Sequence, residues 1–349
     1  MIGLPRNQIL LGDATARLRD LPDDSVDMVV TSPPYFRLRD YQADGQLGLE
    51  AHVADWVRQL RPVAEQVARV LVPGGTCWLN LGDTYSTHLS QGAPRKGLLL
   101  GPERLALALM DDGWLIRNKI IWAKTNSMPT SARDRLACKY EVVYLLVRSP
   151  RYFFDLDAIR VAHRTRPPKP RPVSSRAPTA RGQRPAWRGP NGHSDDGLKR
   201  LRAAGLVGHP LGKNPGDVWP MSISNFRGAH FATFPEHLVE RVIRAGCPER
   251  RCLRCQRPWR RTVRRLGRTA LRGALRASCD CPVANEPGLV LDPFLGAGTT
   301  ALVAERLGRD WLGIELNPGF AQLAEQRLTA TRGSPGGSEQ ISTNRKEVT

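Results

Sequence analysis

Two short runs carry residue types suited to chemistry at an aromatic amine. Thr31-Ser32-Pro33-Pro34-Tyr35 follows the apolar run Val26–Val30, and Asp292-Pro293-Phe294-Leu295-Gly296-Ala297-Gly298-Thr299-Thr300 follows Leu289–Leu291. An amine conjugated to a ring is a poor nucleophile because its lone pair is delocalised. Acceptors for both of its N–H groups draw the nitrogen toward a tetrahedral form, and the Ser32 hydroxyl and the Pro33 carbonyl are suitable acceptors. Consecutive prolines fix the backbone and spend no N–H on the loop. Tyr35 offers a face on which a base can stack once it leaves a duplex. Taken alone, the five residues also read as a proline-rich turn after a strand.

The second run has the form of a nucleoside-binding turn. Gly296 and Gly298 fall between a predicted strand and a predicted helix, where glycines let the backbone pass close to a ligand. Glu315 lies 19 residues beyond Gly296, at the end of the next predicted strand, where a carboxylate can take both ribose hydroxyls. The spacing Gly296-x-Gly298-x-x-Ala301 also fits a dinucleotide fingerprint. Asp292 argues against that ligand: a carboxylate beside the turn repels a pyrophosphate but attracts the ammonium of S-adenosylmethionine (SAM).

The elements that must position these runs alternate in type. Gln8–Leu11, Val26–Val30, Thr76–Leu81, Trp114–Trp122, Glu141–Val147, Leu289–Leu291 and Trp311–Ile314 are predicted strands. Ala51–Leu71, Leu99–Met110, Pro235–Ala245, Thr299–Leu307 and Pro318–Thr329 are predicted helices, the first stopping at Pro73-Gly74-Gly75. Such alternation predicts a doubly wound, mostly parallel α/β sheet. Residues 156–217 lose the hydrophobic period and are rich in Pro, Arg, Gly and Ser.

Charge points to a polyanionic partner. The 349 residues carry a formal net charge of +19, with 13 Lys/Arg against two acids between Arg160 and Lys213. Between Arg250 and Arg276 there are 11 Arg and no Asp or Glu. Neutralising a nucleic-acid backbone releases counterions and favours such clusters. Trp187-Arg188 and Trp259-Arg260 are candidates for stacking on bases, though a lone Trp more often anchors a small core. Neither a signal peptide nor an apolar run near the ~20 residues of a membrane span is present, which predicts a soluble, cytoplasmic, nucleoid-associated protein.

Further motifs give these runs a context. They are Gly12-Asp13, Leu21–Asp27, Leu71–Gly75, Ile121–Lys124, Met128-Pro129, Asp217–Trp219, His230–Pro235, and Leu307–Arg309 with Gly313–Glu315. In this order the chain resembles the β-class SAM-dependent DNA amino-methyltransferases, which methylate cytosine N4 or adenine N6. The resemblance implies a Rossmann-like SAM-dependent methyltransferase fold and catalysis by Ser32, Pro33, Pro34 and Tyr35. It implies a SAM site lined by Asp292, Pro293, Phe294, Gly296, Gly298, Thr299, Thr300 and Glu315, with Asp13 and Phe234-Pro235 closing over it. Double-stranded DNA is the implied substrate, and a cognate restriction endonuclease a possible partner. Members acting on adenine usually carry Asp or Asn before Pro-Pro-Tyr and those acting on cytosine N4 usually carry Ser, so Ser32 favours cytosine N4. Cytosine-C5 chemistry needs a cysteine nucleophile, typically in a Pro-Cys pair, and the chain has none.

Five of seven cysteines crowd between 247 and 281. Cys252-x-x-Cys255 and Cys279-x-Cys281 flank 23 Arg-rich residues and predict a structural Zn2+ site in a small ribbon pinning a basic loop, with Cys247 as a possible substitute ligand. Cys77 and Cys138 are expected to pack in the fold. The expected organisation is a catalytic half at 1–155, a target-recognition segment at 156–217, a SAM-binding half at 218–246 and 285–332, the zinc-ribbon insert at 247–284 and a disordered tail at 333–349. Two other readings remain open from sequence: a non-enzymatic zinc DNA-binding protein with a decayed core, and methylation of RNA or a protein amide.

Overall fold

The computed structural model describes residues 4–127, 129–163, 208–223, 234–266, 269–282 and 284–333. The strands are β1 (Gln8–Leu11), β2 (Val26–Thr31), β3 (Leu71–Leu81), β4 (Leu115–Lys124), β5 (Tyr140–Val147), β6 (Val218–Met221), β7 (Arg250–Cys252), β8 (Arg260–Leu266), β9 (Thr269–Arg276), β10 (Asn285–Pro287), β11 (Leu289–Asp292) and β12 (Asp310–Glu315). The helices are α1 (Ala14–Arg19), α2 (Val53–Val70), α3 (Gly101–Asp111), α4 (Glu236–Gly246), α5 (Thr299–Arg306) and α6 (Pro318–Arg332).

Two compact units make up the fold. The first takes in residues up to 155, 216–260 and those from 277 on. It contains an eight-stranded sheet of order β1-β12-β11-β2-β3-β5-β4-β6. Only β5 runs against its neighbours; the other pairings are parallel. Central strands of such a sheet are covered on both faces, and all six residues of β2 are buried. Cys77, Leu79 and Leu81 of β3 join a core with α1, α2 and α3, whereas Thr76 and Trp78 meet Gly246 at the end of α4. The doubly wound, mostly parallel sheet expected from sequence is therefore present.

Helix α2 shows why the first half folds as read. Val53, Trp56, Val57, Leu60, Val63, Val67 and Val70 are buried at helical spacing. Pro62 sits on its exposed side and gives up a helical hydrogen bond, at a cost of about 3 kcal/mol. Each buried side chain returns about 1.5–3 kcal/mol, so the stripe outweighs the proline. Pro73-Gly74-Gly75 does not itself end this helix, which stops at Val70; the three residues lie within β3, where its pairing with β2 shifts register between Val26 and Met28.

The second unit comprises residues 156–215 and 261–276. Its described parts include a short turn of helix at Leu156–Ala158, an antiparallel bridge between Val161 and Lys213, and the paired strands β8 and β9. The insert expected as one piece at 247–284 is thus divided, and its Arg-rich loop is a β-hairpin. Most of the expected recognition segment (164–207), Met128, His230–Thr233, Trp187 and the tail beyond Gly333 lie outside the described residues.

Two buried carboxylates hold the first unit together. Asp27 accepts hydrogen bonds from the Leu289 amide (2.8 Å) and pairs with Arg251 (3.0 Å), itself 3% exposed. Arg251 also reaches the Ser25 carbonyl and Glu286, so β7 and β10 are anchored to the start of β2. This arginine, counted by sequence among those facing a polyanion, is an interior ion-pair residue. Asp292, at the end of β11, accepts from Thr31 Oγ1 (2.7 Å), Thr300 Oγ1 (2.6 Å) and the Phe294 amide (3.1 Å).

Removing the Arg251 charge should leave Asp27 buried and uncompensated. Arg251→Met is expected to destabilise the protein by about 3–5 kcal/mol in denaturant titration, and a loss below about 1 kcal/mol would show the pair to be dispensable. Burial pushes the Asp292 carboxyl up to about 6, so the folded state holds its proton where the unfolded chain has lost it. Wild-type protein should therefore gain stability relative to Asp292→Asn as pH falls from about 7 to about 4. A difference that does not change across that range would contradict the interior placement.

Candidate active site

The cleft of this first unit opens where β2, β11, β12 and β3 end. Its volume is about 700 Å3. Ser32, Pro33, Pro34 and Tyr35 follow β2 directly and line it, as do Pro293, Phe294, Gly296 and Thr299 after β11 and Glu315 at the end of β12. Asp13 and Phe234 line it as well. The parallel register Val290↔Met28 and Leu291↔Val29 brings the two loops side by side although they are some 260 residues apart in sequence.

The loop after β2 is clamped from several elements. The Trp56 indole of α2 donates to the Pro34 carbonyl (2.9 Å), Thr84 Oγ1 donates to the Phe36 carbonyl (3.1 Å), and the Arg37 amide donates to Gly48 (2.6 Å). A Cβ at Gly82 would meet the Tyr35 ring at 2.8 Å, so this glycine lets the ring lie against the end of β3. The Tyr35 hydroxyl donates to Glu141 Oε2 (2.7 Å) and accepts from Asn80 Nδ2 (2.6 Å) and Ser32 Oγ (3.0 Å). Lys124 Nζ donates to Glu141 Oε1 (2.5 Å). Burial, with the Glu141 charge next, pushes the Tyr35 phenol well above its usual value.

Around the glycine turn, Glu315 is nearly enclosed. Its Oε2 accepts from the Gly296 amide (2.7 Å) and its Oε1 from the Asn317 amide (2.9 Å). A carboxylate has lone pairs beyond these two, so hydroxyl donors in the cleft can still be taken. Burial raises its pKa. Asp13 caps α1 through the Ala16 amide (2.9 Å). Gly298, with φ +78°, starts α5, and a Cβ there would meet Ala324 at 2.8 Å.

Four residues expected against a cofactor do not face the cleft. Asp292 is 1% exposed and its carboxylate is turned inward to Thr31 and Thr300, so it does not present a charge to an incoming ammonium. Thr300 serves as its partner, Gly298 packs on α6, and Pro235 is the buried residue before α4. They build the wall rather than line it. Conversely, Asn80, Trp122, Lys124, Glu141, Tyr41 and Asn317 line the cleft without having been assigned a role from sequence. The motif Ile121–Lys124 was the only trace of this group. Cys138, expected in the fold interior, is exposed and lines the cleft, whereas Cys77 is buried as expected.

Away from the cleft, the Sγ atoms of Cys252, Cys255, Cys279 and Cys281 all lie within 4.8 Å of one another. Four sulfurs around zinc at about 2.3 Å stand about 3.8 Å apart, so the donor set fits a tetrahedral ion. The amides of Cys255 and Arg254 hold the Cys252 thiol down at about 6, while its neighbours, Cys255 first, hold Cys281 up at about 12. Cys247 is no substitute ligand: it is buried elsewhere, its Sγ against the Pro248 carbonyl. Trp259 is half-buried, and its amide donates to the Arg250 carbonyl at 2.8 Å.

Comparison with known proteins places this geometry in a family. Residues 26–326 match the family model described as DNA methylase of the N6/N4 type. The type II methyltransferase M.XycI of Xanthomonas campestris pv. cyanopsidis is 34% identical over 339 residues, covering 91% of this chain and 86% of that one. M.SmaI of Serratia marcescens is 30% identical over 346 residues, covering 93% and 91%. Among solved structures, the cytosine-N4-specific PvuII DNA methyltransferase superposes with a TM-score of 0.56 at 18% identity, over 93% of this chain and 86% of that one. A Thermus thermophilus protein described as a DNA modification methylase, solved with SAM, gives 0.51 at 24% identity, over 94% and 96%. With the family match running through both cleft loops, the chain belongs to the N6/N4 DNA methylase family.

Proposed function

We propose that this enzyme transfers a methyl group from SAM to the exocyclic amine of a flipped DNA base, and that the base is cytosine, methylated at N4. The observation that carries this reading is the single cleft shared by Ser32–Tyr35 and the glycine turn. Its volume of about 700 Å3 falls in the range of pockets that enclose a nucleoside-sized ligand. Ser32, with the adjacent Pro33 and Pro34, presents acceptors to the amine, and Tyr35 closes one wall. Glu315, Phe294, Gly296 and Thr299 hold the SAM nucleoside, with Pro293, Asp13 and Phe234 around it. Asp292, Thr300, Gly298 and Pro235 support them from behind. The methyl group arrives on a sulfonium, already activated, so the protein's part is positioning and withdrawal of charge.

The serine at position 32, in place of an acid or amide, favours cytosine N4 over adenine N6. The relatives' description as type II methyltransferases supports duplex DNA as substrate; a cognate restriction endonuclease as partner and a cytoplasmic, nucleoid location are further parts of this proposal. The basic stretch 156–217 is the proposed target-recognition segment. Four cysteines, 252, 255, 279 and 281, in the chain segments that precede and follow the β8–β9 hairpin in sequence, are proposed to hold a structural zinc ion. Arg264, Arg265 and Arg276 on that hairpin are exposed and suit phosphate contacts.

Expressed in a host lacking DNA methylation, the wild-type chain should modify cytosines in one sequence motif, read by genome-wide mapping. Ser32→Ala should lower turnover about 100-fold while SAM binding stays intact; full turnover by the variant would remove Ser32 from its role. Purified protein should contain about one zinc per chain by elemental analysis, lost in Cys255→Ser. Zinc-free wild-type protein with an undiminished melting temperature would contradict the metal site.

A further inference from the structure

Methylating an amine creates a proton that must leave. Once the nitrogen has bonded to carbon it carries a positive charge, and its lone pair returns to the ring only when an N–H proton departs. Ser32 Oγ, the group proposed to accept from that N–H, does not end in solvent. It donates to Tyr35 Oη at 3.0 Å, and Tyr35 Oη donates to Glu141 Oε2 at 2.7 Å. The two hydrogen bonds point the same way, from the amine side to a carboxylate.

The carboxylate is held in place from two further directions. Asn80 Nδ2 donates to Glu141 Oε2 at 2.7 Å and to Tyr35 Oη at 2.6 Å, fixing the angle between them. Lys124 Nζ donates to Oε1 at 2.5 Å, and the side chains of the pair are only 22% and 15% exposed. Taking such a pair out of water is costly, by several kcal/mol per ion in general. The antiparallel register Trp122↔Glu141 sets this pair at the cleft end of β4 and β5.

We infer that Glu141 is the terminal acceptor of the amine proton, reached through Ser32 and Tyr35. This rests on the amine-methylation reading above. In the step, the amine lone pair bonds to the methyl carbon and the carbon–sulfur bond breaks, its electrons remaining on sulfur. The N–H proton passes to Ser32 Oγ, the Ser32 proton to Tyr35 Oη, and the Tyr35 proton to Glu141 Oε2. The N–H bonding pair becomes the lone pair that rejoins the ring. The sulfonium's positive charge and the carboxylate's negative charge are both cancelled, leaving a thioether, a methylated amine and a carboxylic acid. Tyr35 gives one proton as it takes another and is never a phenolate, in keeping with its raised pKa. Lys124 holds the Glu141 carboxylate through Oε1, leaving Oε2 to Tyr35. Asn80 and Lys124 are positioning residues.

The test is single-turnover transfer of labelled methyl from SAM to duplex DNA by full-length wild type, Tyr35→Phe, Glu141→Gln and the double variant, with SAM binding measured separately. Each single variant should be slower by about 100-fold or more with SAM affinity unchanged. The double variant should be no slower than the worse single one, because both break one path. Tyr35→Phe removes a single oxygen and stands as the decisive variant if Glu141→Gln does not fold. A wild-type rate in Tyr35→Phe, or a double variant slower than the worse single one by the full product of the two effects, would overturn the relay and send the proton directly to water. Wild-type protein that moves no methyl to any DNA amine would instead overturn the functional reading on which the relay rests.

Discussion

The hydrogen bond from Thr31 to Asp292, 2.7 Å long and fully enclosed, is where the organisation of this molecule converges. It joins the last residues of two neighbouring parallel strands whose sequences lie at opposite ends of the chain. Parallel neighbours share a direction, so the loops that follow them must emerge at the same edge of the sheet. One loop carries Ser32–Tyr35 and the other the glycine turn. Their meeting is a consequence of strand order, and everything asked of the cleft depends on it.

Two buried acids stabilise that junction at opposite ends of β2. Asp27 ties the start of β2 to β11 and to Arg251, and Asp292 ties the end of β11 to Thr31 and Thr300. Burial raises both carboxyls to about 6, with Arg251 pulling Asp27 back only in part. The ribbon of β7 and β10 is thereby fastened to the same strand that leads into the loop of Ser32.

Much of this was legible in the chain because the signals are local. Runs such as Val26–Val30 and the stripe of α2 announce their elements by period, and Ser32-Pro33-Pro34-Tyr35 announces its chemistry by composition. What was not legible depends on contacts distant in sequence. Asp292 reads as a ligand because a carboxylate beside a glycine turn suggests one, yet its partners Thr31 and Thr300 are set by strand pairing and the first turn of α5. Glu141 reads as an ordinary residue of a β-branched strand, and only the pairing of β5 with β3 and β4 brings it to Asn80, Lys124 and Tyr35. Arg251 is indistinguishable by composition from the arginines around it; its burial follows from the docking of β7. The hairpin of β8 and β9 was hidden by its arginines, which mask the alternation that marks a strand.

The most direct test of base-amine methylation is the identity of the product. Duplex DNA incubated with the protein and SAM, digested to nucleosides and resolved by liquid chromatography with mass spectrometry, should yield N4-methyldeoxycytidine. Methyl groups found at cytosine C5, or on no nucleoside at all, would contradict the account.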